Sequence, residues 1–240
     1  MLDICGGDID YVIYRAGHPA FVAKALPIIR EYNAKSGRNL KLVNTEWLAS
    51  CHSPEPFDEP GIRTDFHWTG KITNDYDDIL SRHEISWNYA VNGARRLLDY
   101  ISYGGEFALA NFNNMTNTWG QNLIEGSKDK AWLSCMGEIF AFFKRNYSPS
   151  VSSVAEVDDP LLYGLFTKDK DGREKLYVIN IGSAEKELSI PEKFTSAIEG
   201  MTAPKRSDHI TETENPIKRI KPEVNNGKVL IPGLSVTVFE

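Results

Sequence analysis

The chain has 240 residues, a formal net charge of −6, 41% hydrophobic and 25% charged residues. That is room for one large globular domain or two ordinary ones. No surplus of Lys and Arg is present to neutralise phosphates, which argues against a nucleic-acid partner, and no apolar run approaches the roughly 20 residues of a membrane span. Three cysteines (Cys5, Cys51, Cys135) make no disulfide framework, and the five histidines fall in no metal-ligand spacing, so neither a metal nor a cofactor is expected.

The first eight residues, Met1-Leu2-Asp3-Ile4-Cys5-Gly6-Gly7-Asp8, carry neither a basic segment nor an apolar one, so no signal peptide is read. Unpaired cysteines lean to the cytoplasm, while secretion stays open if a signal lies upstream. Residues 9–14 form a plausible buried strand. Pro19 opens a helix in which Phe21, Val22, Ala25, Ile29 and Tyr32 share a face, ending at Gly37. Pro27 inside it predicts a kink or a late start, because proline costs about 3 kcal/mol in a helix interior. Leu40-Lys41-Leu42-Val43-Asn44-Thr45-Glu46-Trp47 reads as a strand ending on a carboxylate and an aromatic ring. A long irregular stretch follows, 48–73, with Phe66, His67 and Trp68 as loop aromatics. Cys51-His52 invites a nucleophile reading, but adjacency is not the geometry of a Cys–His pair.

Ala90, Ala94, Leu97, Leu98 and Ile101 mark a helix over 85–101, stopped by Gly104-Gly105. Residues 107–112, nearly all small or apolar, suit a strand buried on both faces. A helix over 130–144 would bury Trp132, Met136, Ile139, Phe140 and Phe143. From Val151 the period changes to two. Strands over 162–166, 176–180, 229–231 and 235–239 are separated by the turns Asp169-Lys170-Asp171-Gly172 and Asn225-Asn226-Gly227-Lys228, which predicts an antiparallel sandwich. Lys218-Arg219-Ile220-Lys221, the densest basic cluster, reads as the solvated edge of a strand.

The first half therefore reads β-α-β-α-β-α. In parallel α/β folds, chemistry gathers where strands end, which singles out Glu46. A carboxylate that can attack, beside a flat apolar wall, suits a sugar-cleaving enzyme; a surface cap is the plain alternative.

Ala110-Asn111-Phe112-Asn113-Asn114-Met115-Thr116-Asn117, within residues 100–147, resembles the last βα unit of glycoside hydrolase family 51. These are retaining α-L-arabinofuranosidases with a (β/α)8 barrel and a C-terminal β-sandwich. The closing strand, Leu230-Ile231-Pro232-Gly233-Leu234-Ser235-Val236-Thr237-Val238, is similar too. The resemblance implies that residues 1–148 are the last three βα units of a TIM barrel and 149–240 the sandwich. It implies Glu46 as the catalytic nucleophile at the seventh strand and Trp47 as the aromatic residue that follows. Asn114 falls where the family has a sugar-contacting glutamine, one methylene shorter. Tyr14 and His18 stand near the Tyr and His of the sixth strand, although Arg15 occupies the aligned histidine position.

On that alignment five strands are missing, with the Asn-Glu pair that supplies the general acid/base. A retaining glycosidase needs two carboxyl groups about 5–5.5 Å apart. Glu55, Glu59, Glu84 and Glu106 lack the context of the second. The chain is expected to be a fragment, inactive alone. In the full-length enzyme the substrate would be an arabinan- or arabinoxylan-type polysaccharide, and a homo-oligomer is open. The alternatives are a related retaining glycosidase for another sugar, or a non-catalytic carbohydrate-binding or assembly module. Asn114-Met115-Thr116 and Asn146-Tyr147-Ser148 match the N-glycosylation pattern, one that recurs by chance.

Overall fold

A computed structural model of the protein describes residues 18–47, 49, 85–113, 115–116 and 122–240. The expected strand at 9–14, the loop aromatics and the Cys51-His52 pair lie outside them. The first element is helix α1, His18–Ser36. Pro27 neither delays nor ends it. The proline is exposed, and on the solvent side water can take the carbonyl that its ring leaves without a donor. The buried stripe is Val22 and Leu26 with Ile29 beside them, whereas Tyr32, expected on that face, is 43% exposed.

Strand β1, Leu42–Trp47, runs parallel to β2, Phe107–Phe112. Between them in sequence lies helix α2, Trp87–Ser102, which Ser86 caps by accepting the Tyr89 N–H at 3.3 Å. A short 3₁₀ turn, Gly104–Glu106, leads into β2. Two parallel strands joined through a helix are the expected αβ unit, and each pairs only with the other among the described residues.

The helix expected over 130–144 begins later. Strands β3, Ile124–Gly126, and β4, Ala131–Leu133, form a hairpin first, and α3 spans Cys135–Arg145. The reason is local: Ser134 adopts extended backbone and its hydroxyl accepts the Gly137 N–H at 3.0 Å, which fixes the start of the helix at Cys135. Trp132 therefore sits on a strand, while Met136, Ile139 and Phe142 face the core. Gly93 of α2 lets the two helices meet, since a Cβ there would come within 2.4 Å of Met136 Sδ.

The C-terminal half is all strand: β5 (Ser150–Ala155), β6 (Leu162–Lys168), β7 (Glu174–Asn180), β8 (Lys186–Ser189), β9 (Ala197–Thr202), β10 (Lys218–Ile220), β11 (Val224–Asn225), β12 (Lys228–Ile231) and β13 (Ser235–Phe239). A six-stranded antiparallel sheet has the order β10-β9-β13-β7-β6-β5, and a second sheet the order β11-β12-β8. Both expected turns form. Asp169 Oδ1 accepts the N–H groups of Asp171 at 2.8 Å and Arg173 at 3.0 Å, and Asn226-Gly227 has φ of 51° and 72°, the type I′ requirement of a two-residue hairpin.

The large sheet is covered on both faces. Leu165, Tyr177, Ile179, Val236 and Val238 pack with Trp87, Val91, Met136, Ile139 and Phe142 of the helices. Leu162, Leu176, Val178 and Phe239 pack with Val229 and Ile231 of the small sheet. Polar contacts tie the helical layer down as well. Trp87 Nε1 donates to the Leu234 carbonyl at 2.6 Å, and the buried Arg206 donates to Asn88 Oδ1 at 2.8 Å and to the Ile181 carbonyl at 3.0 Å. β10 is an edge strand, and its Arg219 pairs with Glu138 at 2.5 Å and Glu199 at 2.9 Å.

Candidate functional site

Strands β1 and β2 point the same way, so their C-terminal ends lie side by side and bring Glu46 next to the segment after Phe112. The Asn113 backbone N–H donates to the Trp47 carbonyl at 3.1 Å, which carries the pairing one residue past the end of β2. The Asn113 side-chain amide donates to Oε1 of Glu46. Glu46 is exposed. Among the described residues one amide orients one oxygen of this exposed carboxylate, an arrangement that suits a nucleophile or an oriented hydrogen-bond acceptor.

Trp47 occupies a different place from the open wall expected of it. It is 3% exposed, with its ring 5.3 Å from Tyr100, 5.0 Å from Phe112 and 6.2 Å from Phe140. The register explains the difference: Asn44 lies opposite Ala110 and Trp47 opposite Phe112, so an extra residue of β1 between them breaks the alternation and puts Trp47 on the core face with Asn44. Asn114 and Tyr14 lie outside the described residues. His18 is the first residue of α1, and its side chain is outside them too. Of the expected site residues, the structure thus gives the surroundings of Glu46 and Trp47, and it adds Asn113. That residue stood within the Ala110-Asn111-Phe112-Asn113-Asn114 run, and its in-line position with Glu46 at the end of a neighbouring strand was the available signal.

Other titratable groups fall away from this end. Glu106 immediately precedes β2 at its opposite end, about 20 Å away along the strand, where Arg30 grips it through two bonds of 2.6 Å. Those hydrogen bonds hold its carboxyl below the usual range. Cys135 is buried, and burial pushes its thiol up to about 12, which disqualifies it as a nucleophile at neutral pH. Asp99 of α2 is pushed up to about 6 by burial, against the pull of Arg95 and Arg96. Among the described residues no three His, Cys, Asp or Glu could hold a metal ion, and no helix is long and apolar enough to cross a membrane. Asn146, of the second glycosylation tripeptide, is buried and spends its amide on the Phe142 carbonyl at 3.0 Å and Glu199 at 2.9 Å, so it is not an acceptor in this fold.

No family model and no curated protein sequence matches the chain. Solved structures do match its fold. The family 51 α-L-arabinofuranosidase AbfB from Bifidobacterium longum aligns over 96% of this chain and 48% of its own, with a TM-score of 0.63 at 14% identity. An arabinose-bound family 51 α-L-arabinofuranosidase aligns over 64% of this chain and 27% of its own, at 0.53 and 15%. The family 51 arabinofuranosidase from Xanthomonas axonopodis pv. citri aligns over 91% and 44%, at 0.52 and 20%. The chain has a glycoside hydrolase-like fold and spans less than half the length of these structures.

Proposed function

We propose that this chain is the C-terminal part of a retaining glycosidase that removes terminal α-L-arabinofuranosyl groups from arabinan- or arabinoxylan-type polysaccharides, with Glu46 as its nucleophile. The observation that carries the reading is Glu46 itself: an exposed carboxylate at the C-terminal end of a parallel strand, hydrogen-bonded by Asn113, in a chain with a glycoside hydrolase-like fold. In this reading β1 and β2 are neighbouring strands of a TIM barrel, and the two sheets form the accessory β-sandwich.

The chemistry takes two steps. A free oxygen of Glu46 attacks the anomeric carbon as the glycosidic bond breaks, giving a glycosyl ester on the carboxylate. A second carboxyl group protonates the departing oxygen and then draws a proton from the water that cleaves the ester. Among the described residues the side-chain partner of Glu46 is an amide, Asn113, which cannot act as that acid. The acid/base therefore belongs to polypeptide beyond the described residues. Asn113 would aim one oxygen of Glu46, leaving the other for attack.

The same fact supports a second reading, a non-catalytic carbohydrate-binding or assembly module in which Glu46 and Asn113 together receive sugar hydroxyls. Glu46→Gln in the intact protein separates the two. With 4-nitrophenyl α-L-arabinofuranoside as substrate, the nucleophile reading expects kcat to fall by roughly a thousandfold or more at unchanged melting temperature. Full retention of hydrolysis by the variant, or arabinoxylan binding that survives in a parent without any hydrolysis, overturns it in favour of the binding module.

A further inference from the structure

Glu46 does not stand on a regular strand. Pairing of β1 with β2 places Asn44 opposite Ala110 and Trp47 opposite Phe112, with an irregularity between. Three steps along β1 thus match two along β2, so the ladder contains a bulge at the residues that carry the carboxylate. A bulge re-aims a side chain, and it also leaves a backbone N–H without a ladder partner.

The Glu46 N–H donates to Oδ1 of Asn44 at 3.1 Å. Because a backbone N–H can only donate, the Asn44 oxygen must face it, and the amide NH₂ is turned the other way. There it donates to the hydroxyl oxygen of Tyr100 at 2.7 Å. Tyr100 is buried on α2, and its ring stands edge-on to Trp47 at 5.3 Å. An unbroken set of contacts therefore runs from the helix through Tyr100 and Asn44 to the backbone of Glu46, and Asn113 completes it at the carboxylate.

We propose that Asn44 and Tyr100 are positioning residues that pin the bulge and so hold the Glu46 carboxylate where Asn113 meets it. The inference rests on the reading of Glu46 as nucleophile. Neither residue touches the reacting atoms. A glutamate has several rotatable bonds, and one amide contact at its tip orients the carboxylate only if the backbone beneath is fixed. Asn44 supplies that anchor on the side away from solvent, and Tyr100 keeps its amide from turning.

The test compares the parent with Tyr100→Phe, Asn44→Ala, Asn44→Asp and Glu46→Gln by ¹H–¹⁵N spectroscopy and hydrogen exchange. Tyr100→Phe keeps the ring against Trp47 and removes only the hydroxyl, so its melting temperature should stay within a few degrees of the parent's. Exchange at the Glu46 amide should quicken about tenfold in Asn44→Ala, the size of one ordinary hydrogen bond, and by less in Tyr100→Phe. Asn44→Asp keeps an oxygen for that amide and should restore slow exchange. In Asn44→Ala and Tyr100→Phe, the Asn113 side-chain resonance should move toward its position in Glu46→Gln. In the intact protein, kcat on the aryl arabinofuranoside should fall with KM unchanged. A Glu46 amide and an Asn113 resonance that ignore both Asn44→Ala and Tyr100→Phe overturn the proposal, as does a full kcat in Asn44→Ala once its amide is shown to be freed. Should Glu46→Gln keep full kcat, the glycosidase reading fails by itself, and the exchange data report separately on the bulge.

Discussion

The β1–β2 unit and the two-sheet region are built from similar residues but covered very differently. Strand β13 is buried at all five of its positions, with helices on one side of its sheet and the small sheet on the other. Strand β1 has an inner side sealed by Trp47 and an outer side where Val43 is 51% exposed, beside Leu109 of β2 at 48%. Parallel sheets are ordinarily covered on both faces. The difference teaches where this chain keeps its rigidity and where it keeps its chemistry. The scaffold is over-determined by packing, whereas the strand end that carries Glu46 is held by a few named hydrogen bonds.

The largest effect on stability should come from the layer between those regions. Ile139 of α3 has no exposed surface and packs where the helices meet the large sheet. Ile139→Ala removes three carbons from that junction and should cost about 2–5 kcal/mol by urea unfolding. A loss under 1 kcal/mol would mean that the helical layer is not mechanically one with the sheet, and the contrast just drawn would lose its basis.

A smaller and pH-dependent effect belongs to Asp99, also on α2. Its carboxyl, near Arg95 and Arg96, is pushed up to about 6 by burial. An acid with a raised folded pKa binds its proton more tightly in the native state. Its contribution to stability is therefore fully present below the unfolded pKa of about 4 and is lost as pH rises through about 6. Asp99→Asn should be neutral at pH 3.5 and more stable than the parent by about 3 kcal/mol at pH 8. The difference between the two unfolding curves isolates this group from all others. A variant less stable at pH 8 would show that the ionised carboxylate is a needed partner for the arginines.

Much of the two-sheet region is legible in the sequence, because turn chemistry and alternation are local signals. Asp169-Lys170-Asp171-Gly172 and Asn226-Gly227 announce their turns, and the alternating 235–239 run forms the central strand β13. The start of α3 was less so. Helical spacing reached back to Trp132, and only the capping competence of Ser134 could have moved the boundary to Cys135. Glu46 at a strand end could be read directly, but its surroundings could not. Adjacency to Glu46 makes Trp47 read as a wall for a ligand, and the register shift in β1 sends it inward. Asn113 and Tyr100 reach the site across 67 and 56 residues of chain, and such pairings follow from strand register, which a single sequence does not state.

The smallest expected effect tests the outer face itself. Val43 and Leu109 are opposite each other in the register and both are about half exposed. If solvent is their only neighbour on that side, Val43→Thr with Leu109→Gln should change stability by no more than about 0.5 kcal/mol and should reduce self-association, since exposed apolar sheet faces and open edges invite it. If instead further polypeptide packs on the face in the intact protein, the same pair buries two unsatisfied polar groups, and each costs about 1–3 kcal/mol. Measured in both this chain and the intact protein, the double variant converts the contrast between covered and uncovered sheets into a number. A near-zero value here and a loss of several kcal/mol there would mean that the Glu46 strand end acquires its second cover only in the longer protein.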